Sequence, residues 1–229
     1  MQIPIKPIYL FADSQLLFWK KYDAYFLQSI AEHIEKEEAK AAYIAVSNDE
    51  RPEFFDLFRA AMEIINITDC RMIGSKVSVV DEVFLNNADL ILLSGGDVLK
   101  GWQSIERSGL KETIVRKYYE GSVLLGVSAG AVQLGLGWLP NDNTESAELI
   151  YTFKLIPFLI DVHDRSKEWS GLKKALHRMG GPVKGIGIPA GGGLIYHSDH
   201  SIEAIRHPVY EFSFKEEQLI SGLIFPPEE

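Results

Sequence analysis

Short apolar runs alternate with amphipathic stretches along the first two thirds of the chain. The apolar runs predict strands at residues 7–12, 41–46, 67–73, 88–94 and 123–127. The stretches between them have helical spacing and predict helices at residues 15–38, 52–65, 80–87, 98–107 and 110–119. Because the strands are continuously apolar and do not alternate, we expect them to be buried on both faces. This pattern predicts a mostly parallel sheet covered by helices on both sides.

The pattern changes after Gly137, where β-type runs become more frequent. A strand is predicted at residues 149–157, then a polar loop, a helix at 169–179 and closely spaced strands at 184–188, 194–196, 202–205, 210–214 and 219–225. No repeat, linker or low-complexity segment interrupts the chain, so one domain over residues 1–229 is the economical expectation. The predicted fold is a flavodoxin-like α/β three-layer sandwich with a β-rich C-terminal part.

Composition removes several classes of function from consideration. The chain has a net charge of −9, and its Lys and Arg residues are scattered, which argues against nucleic-acid binding. Its single cysteine, Cys70, cannot form an internal disulfide. The N-terminal residues do not have the layout of a signal peptide, and no apolar run approaches membrane-spanning length. We therefore expect a soluble cytoplasmic protein without a membrane partner, and the oligomeric state stays open.

The segment Gly126 to Ala131 carries the clearest chemical signal. It reads GVSAGA and follows a predicted strand, while the residues after it begin a helix. A strand-to-helix turn with small flanking residues is what a nucleophile elbow needs, since larger side chains do not fit there. Ser128 is therefore the candidate nucleophile. The simpler interpretation is a tight turn in which Ser128 only caps the helix.

A second turn, Gly95-Gly96-Asp97, follows the fourth predicted strand. Sites of open α/β sheets lie at the carboxyl ends of strands, so this turn is expected beside Ser128. Its bare backbone N–H groups could join that of Ala129 in stabilising the oxyanion of an acyl-transfer intermediate. The simpler interpretation is an ordinary strand-to-helix turn with Asp97 as the N-cap.

A serine hydroxyl needs a base within hydrogen-bond reach. Among the six histidines, His163 is the best candidate, because it lies in a loop after the predicted elbow, beside Asp164 and Arg165. A surface loop residue is the competing interpretation. The other histidines, at positions 33, 177, 197, 200 and 207, are expected on a solvated helix face, at a helix end or in polar turns. No cluster has metal-ligand spacing, and the interrupted glycines at 185–193 do not match a phosphate-binding loop.

In order and rough spacing, Gly95-Gly96-Asp97, GVSAGA, LIPFLIDVHDR at 155–165 and GIGIPAGGGLI at 185–195 resemble the peptidase E and cyanophycinase family of serine peptidases. That family shares its fold with class I glutamine amidotransferase domains. The resemblance implies Ser128 as nucleophile, His163 as general base, and the N–H groups of Gly96 and Ala129 as the oxyanion hole. It also implies that Arg165 meets a substrate carboxylate. At position 97, where the family usually has Asn, this chain has Asp, which would repel an acidic substrate.

The chain departs from the family after GIGI, where many members carry an acidic pair that can orient the histidine. Pro189 and Ala190 stand there instead. Asp142 lies near the position of an Asp in dipeptidase-type members and is the first substitute. Weaker candidates are Asp164, Glu145, Glu148 and Asp199. We expect a cofactor-independent serine hydrolase acting on a small peptide. The alternative is a degenerate relative that binds a ligand or partner without turnover, and acyl transfer through the same residues is a third possibility.

Overall fold

The computed structural model describes residues 5–34, 36–140, 148–164 and 168–228. The strands are β1 (Ile8–Phe11), β2 (Lys20–Lys21), β3 (Ala24–Tyr25), β4 (Lys40–Ile44), β5 (Asp69–Ile73), β6 (Leu90–Leu93), β7 (Val123–Val127), β8 (Gly137–Trp138), β9 (Ile150–Tyr151), β10 (Phe158–Val162), β11 (Lys184–Ile188), β12 (Gly193–Tyr196), β13 (Ile202–Ile205), β14 (Val209–Lys215) and β15 (Gln218–Ile224). The helices are α1 (Leu27–Ala31), α2 (Pro52–Ile64), α3 (Val79–Asn86), α4 (Val98–Ser108), α5 (Leu110–Tyr119), α6 (Ala129–Leu134) and α7 (Ser170–Met179). None of the helices in these ranges combines the length and apolar composition of a membrane span.

The central sheet has the order β13-β12-β1-β7-β6-β4-β5. Neighbours from β1 to β5 in this order are parallel, whereas β12 pairs antiparallel with both β1 and β13. Every residue of β1, β6 and β7 is buried, as the continuous apolar runs predict, but β5 lies at the edge of the sheet and only its Ile73 is buried. The expectation of a mixed α/β fold around a mostly parallel sheet is confirmed.

The two faces of the central sheet are buried in separate cores. On one face, Ile8 and Leu10 of β1 belong to a core that also holds Trp102 of α4 and Ile114 of α5. On the other face, their neighbours Tyr9 and Phe11 belong to a core with Phe58 and Met62 of α2. Successive side chains of a strand point to opposite faces, so β1 contributes to both cores.

A second sheet has the order β10-β11-β14-β15, in which β10 and β11 are parallel and the other neighbours antiparallel. Helix α7 packs on it through Leu172 and Leu176, together with buried Trp169. The chain passes from β11 of this sheet to β12 of the central sheet through residues 189–192. The second sheet is thereby tied to the carboxyl end of β1, where Asp13 Oδ2 accepts the Gly191 N–H at 2.6 Å.

The prediction of one long helix over residues 15–38 is wrong. The chain forms a 3₁₀ turn at Ser14–Phe18, the hairpin β2–β3 and the short helix α1. Trp19 has extended backbone angles and Tyr22 has a φ of 55°, so a continuous helix is broken at both positions. The apolar residues still face one side, because Leu16, Leu17, Leu27 and Ile30 all pack on the same face of the sheet. The aromatic-rich sequence has little intrinsic helix propensity to oppose this tertiary arrangement.

The prediction of a strand at residues 149–157 is also wrong. Only Ile150 and Tyr151 are extended there, in a pair with β8. Lys154 has a φ of 58°, which ends any extended run, and Pro157 immediately precedes the true strand β10. The apolar residues of the misassigned segment, such as Phe153 and Ile156, are buried as connecting chain. Consequently His163 directly follows a strand of the second sheet.

Candidate active site

Ser128 lies at a sharp turn between β7 and α6. Its backbone angles, φ 51° and ψ −110°, are strained for a residue with a side chain. The turn is held on both sides by hydrogen bonds to neighbouring strands: the Ser128 N–H donates to Phe11 O at 2.8 Å, and the Gly130 N–H to Ser94 O at 3.1 Å. No side-chain cap bond from Ser128 to helix α6 is present in this described segment. The hydroxyl is therefore not used as the helix cap that the simpler interpretation required.

The small residues around Ser128 are sterically necessary. A Cβ atom at Gly130 would lie 2.2 Å from Leu93 O, and one at Gly126 would lie 2.7 Å from the backbone of Gly130. Both contacts are with backbone, which cannot swing away as a flexible side chain does. The close packing of β7, its turn and α6 therefore depends on glycine at both positions.

His163 reaches Ser128 from the second sheet. Its Nε2 atom lies 3.0 Å from Ser128 Oγ, a distance at which the hydroxyl donates to an unprotonated Nε2. The His163 backbone has a φ of 67°, and its N–H donates to Ile188 O at 3.1 Å. This bend immediately after β10 turns the half-buried imidazole toward the serine. The geometry is that of a nucleophile and a general base, and the two catalytic roles stay predictions.

Gly95 and Gly96 form the turn beside the serine. A Cβ atom at Gly95 would lie 3.2 Å from the Cβ atom of Ser128, so the two turns are in contact. Gly96 has a φ of 132°, and a Cβ atom there would lie 2.0 Å from Ser47 O, so only glycine fits. Within the described residues, the N–H groups of Gly96 and Ala129 donate to no protein acceptor. Both groups are available to a ligand oxygen, and the oxyanion-hole assignment stays a prediction.

Asp97 is the N-cap of α4. Its Oδ1 atom accepts the Lys100 N–H at 2.8 Å, which is the simpler role considered for this residue. Its side chain also lines the cavity in front of Ser128. A substrate-binding role for Asp97 stays a prediction alongside the structural one.

The predicted residues Asp142 and Arg165 lie outside the described residues, as does Glu145. Of the weaker acid candidates, Asp164 accepts the Trp169 N–H, and exposed Asp199 accepts from the N–H and hydroxyl of Ser201. Exposed Glu148 has no contact with the site among the described residues. The group that orients His163 is therefore not assigned.

A further carboxyl group, which was not predicted from the sequence, lies two residues before the histidine. Asp161 faces the side of β10 that packs against α7, and burial, aided by the charge of Asp164, raises the pKa of its carboxyl to about 6. Its Oδ1 atom accepts the Val162 N–H at 2.8 Å. In the described ranges, no three His, Cys, Asp or Glu side chains converge in an arrangement that could hold a metal ion.

Ser128 and His163 open into a cavity of about 480 Å³. This volume lies in the range of roughly 300–1,000 Å³ that is typical of small-molecule sites. Besides the predicted residues, the cavity is lined by a polar group comprising Asp13, Ser14, Ser47, Asn48, Asp49, Arg51 and Ser94, and by an apolar group comprising Leu17, Tyr43, Phe54, Leu57, Phe58, Leu92 and Val127.

These lining residues were not predicted from the sequence. A usable signal was present, because Asp13 follows β1 and residues 47–49 follow β4, at the same carboxyl edge of the sheet as the two turns. The apolar residues of α2 gave no such signal. In the sequence they are indistinguishable from core residues.

The chain matches a known protein family. Residues 11–200 match the family described as Peptidase family S51. No curated protein matches the chain significantly.

Solved structures show the same fold. The chain is similar to the crystal structure of a peptidase from an acI-B1 Actinobacterium, with 19% identity and a TM-score of 0.71 over 96% of this chain and 97% of the other. It is also similar to a putative peptidase E protein from Listeria monocytogenes EGD-e, with 16% identity and a TM-score of 0.64 over 89% and 99% of the two chains. At such low identities the likeness concerns the fold alone.

Proposed function

The chain belongs to peptidase family S51, and from that membership we propose that it is a serine peptidase in which Ser128 and His163 hydrolyse an amide bond of a small peptide. The single observation that carries the proposal is the 3.0 Å contact between Ser128 Oγ and His163 Nε2 at the mouth of a cavity. A serine hydroxyl is a weak nucleophile without such a base. The strained turn presents the hydroxyl to the cavity, where a substrate carbonyl would lie.

In the proposed reaction, Ser128 Oγ attacks the substrate carbonyl carbon while His163 Nε2 takes the hydroxyl proton. The negative charge on the carbonyl oxygen is stabilised by the N–H groups of Gly96 and Ala129. His163 then returns the proton to the leaving amine, and the C–N bond breaks to leave an ester on Ser128. Water, deprotonated by the same imidazole, hydrolyses the ester and restores the hydroxyl.

A fluorophosphonate probe tests this proposal, because it phosphonylates a serine only when the hydroxyl is activated. We expect stoichiometric labelling that peptide mapping assigns to Ser128. Labelling should be lost in Ser128→Ala, strongly slowed in His163→Ala and retained in Ser14→Ala, a matched control serine that lines the same cavity. Peptide hydrolysis, followed by release of the free amine, should be lost in the same two variants.

The alternative of a binding protein without turnover is motivated by Pro189 and Ala190, which replace the family's acidic pair. A folded protein that is neither labelled nor able to hydrolyse any peptide would favour that alternative and overturn the proposal. Addition of amine acceptors distinguishes hydrolysis from acyl transfer, since transfer would yield a new amide.

A further inference from the structure

One wall of the cavity is apolar. Tyr43, Phe58 and Leu92 are each less than 5% exposed and form its floor, whereas Phe54 and Leu57 of α2 lie nearer the surface. The rings of Tyr43 and Phe58 pack with centroids 5.1 Å apart, and the ring of Phe55 contacts both of them. Burial raises the pKa of the Tyr43 phenol to about 12, and its hydroxyl is bonded by Asn48 Nδ2 at 2.8 Å. The floor thus carries no charge at physiological pH.

The rim of the cavity disfavours an acidic side chain. Among the described lining residues, the carboxylates of Asp13, Asp49 and Asp97 outnumber the single guanidinium, that of Arg51. Arg51 is paired with Glu53 and lies over the ring of Phe54. A substrate carboxylate would therefore meet net negative charge from the described lining residues, and it would have to displace Glu53 to pair with Arg51.

The carboxylates of the rim are also engaged. Asp13 accepts the N–H groups of Gln15 and Gly191, and Asp49 is paired with Lys100. With these groups occupied by protein donors, a cationic substrate side chain gains less from them than from free carboxylates. The apolar wall has no such protein partner in the described part of the chain. Covering it with an apolar substrate group would remove its surface from water, which is favourable.

We propose that this cavity selects peptides with a large apolar side chain, Phe or Leu, next to the scissile amide. This inference rests on the proposed function, because it concerns the same Ser128 site. The side chain would lie against Tyr43, Phe54, Leu57 and Phe58, and the adjoining carbonyl would lie at Ser128. Excluding water from these surfaces provides the selectivity, and a charged side chain lying against them would lose its hydration without a compensating partner in the described part of that wall.

The test is hydrolysis of a matched set of peptides by the full chain. The set comprises Phe-Ala, Leu-Ala, Ala-Ala, Asp-Ala and Lys-Ala with the reversed dipeptides, so that both sides of the scissile bond are sampled. We expect kcat/KM for the best Phe or Leu peptide to exceed that for Ala-Ala by roughly 10–200-fold, the range for a hydrophobic pocket. The Asp and Lys peptides should be no better than Ala-Ala.

Leu57→Lys tests the wall directly, because it places a charge on it. Leu57 is 42% exposed on a helix, so the variant should fold. We expect the ratio of kcat/KM for the best apolar peptide to that for Ala-Ala to fall about tenfold. The control is Val83→Lys, at a 57% exposed position of α3 that does not line the cavity; it should leave the ratio unchanged.

Three outcomes would overturn the inference: Asp peptides cleaved as fast as Phe peptides, an unchanged ratio in Leu57→Lys, or a labelled Ser128 with no hydrolysis of any apolar peptide. In each of these cases fluorophosphonate labelling still supports an activated serine. Absence of labelling is the separate result that removes the proposed function and the inference with it.

Discussion

The two side chains of the candidate site are held by different kinds of structure. The serine arm, residues 123–134, lies inside the parallel sheet, and β7, Ala129 and the rest of α6 are buried. The histidine arm, residues 158–163, belongs to the second sheet and contacts the serine arm through a junction in which the Leu136 N–H donates to Phe158 O at 2.8 Å. The serine is therefore placed by its own segment and immediate strand neighbours, whereas the histidine is placed by the docking of one sheet on the other.

This difference separates two requirements of catalysis. A strained turn must be enforced by close backbone packing, and the central sheet supplies that packing. A base must lie within hydrogen-bond reach, and small shifts of the second sheet would change that distance. The comparison predicts that damage to the serine arm appears first as lost stability, and damage to the histidine arm first as lost activity.

The largest expected effect is on turnover. Ser128→Ala and His163→Ala should each lower kcat/KM by about 10⁴–10⁶-fold, and the double variant should be no worse than the more severe single one, since the two groups act as a unit. Steady-state kinetics on the best peptide measures this, with circular dichroism to verify folding. If the losses in kcat/KM of the two single variants multiplied in the double variant, Ser128 and His163 would not act in one shared step.

The next effect concerns one glycine of the serine arm and one glycine on the strand beside the histidine arm. Gly130→Ala places a Cβ atom against the fixed backbone of Leu93, so we expect a loss of about 3 kcal/mol in the free energy of unfolding. Gly187→Ala, on the strand paired with β10, places one 2.5 Å from the ring of Trp169, a side chain that can shift, so about 1–2 kcal/mol is expected.

Urea denaturation measures both losses of stability. For each kcal/mol of stability lost, kcat/KM should fall further in Gly187→Ala than in Gly130→Ala, because a displaced Trp169 shifts β10. Equal losses of stability, or an unaffected kcat/KM in Gly187→Ala, would remove the proposed distinction between the arms.

The histidine arm also contains a buried carboxyl with a pH-dependent cost. Asp161 keeps its proton to about pH 6 in the folded protein and releases it near pH 3.8 when unfolded. Between these values the folded state binds more protons than the unfolded state. The stability that protonated Asp161 contributes is therefore fully present below about pH 4 and is lost as the pH rises to 6. The two-unit shift corresponds to at most about 3 kcal/mol.

Asp161→Asn removes that cost, and its Oδ1 atom can still accept the Val162 N–H. Relative to the unmodified chain, the variant should gain about 2 kcal/mol at pH 7 and nothing at pH 4, measured by urea denaturation at each pH. A gain that does not depend on pH would indicate that packing, and not ionisation, is responsible.

The same contrast explains what could be predicted from the sequence. The strands of the central sheet and the turn at Ser128 follow from local patterns, because continuous apolar runs and small residues at fixed spacing carry the constraint within a few positions. The 3.0 Å contact of His163 with Ser128 does not, since it depends on how β10 docks beside α6. The sequence favours His163 among six histidines by its place in a loop after the elbow, and the resemblance to a family assigns it the role of base, but neither gives the distance.

The errors in the predicted elements have a related cause. Residues 15–38 place apolar side chains on one face, but the 3₁₀ turn, hairpin and short helix satisfy that pattern as well as one long helix does. The cavity-lining residues Phe54, Leu57 and Phe58 were likewise predicted only as part of a helix over residues 52–65. A hydrophobic stripe does not reveal whether sheet or substrate covers it.

The smallest expected effect concerns Asp97, which caps α4 beside the serine arm. Asp97→Ala removes the acceptor of the Lys100 N–H and should lower the free energy of unfolding by about 1 kcal/mol, whereas Asp97→Asn keeps an N-cap oxygen and should lower it little.

Both variants remove a negative charge from the rim, so both should raise kcat/KM for Asp peptides by about twofold to fivefold at low salt, an advantage that fades as salt screens the charge. Thermal denaturation and kinetics on the same preparations separate the two roles. A gain on Asp peptides in Asp97→Ala but not in Asp97→Asn would show that the space freed by the shorter side chain, and not the removed charge, controls access to the serine.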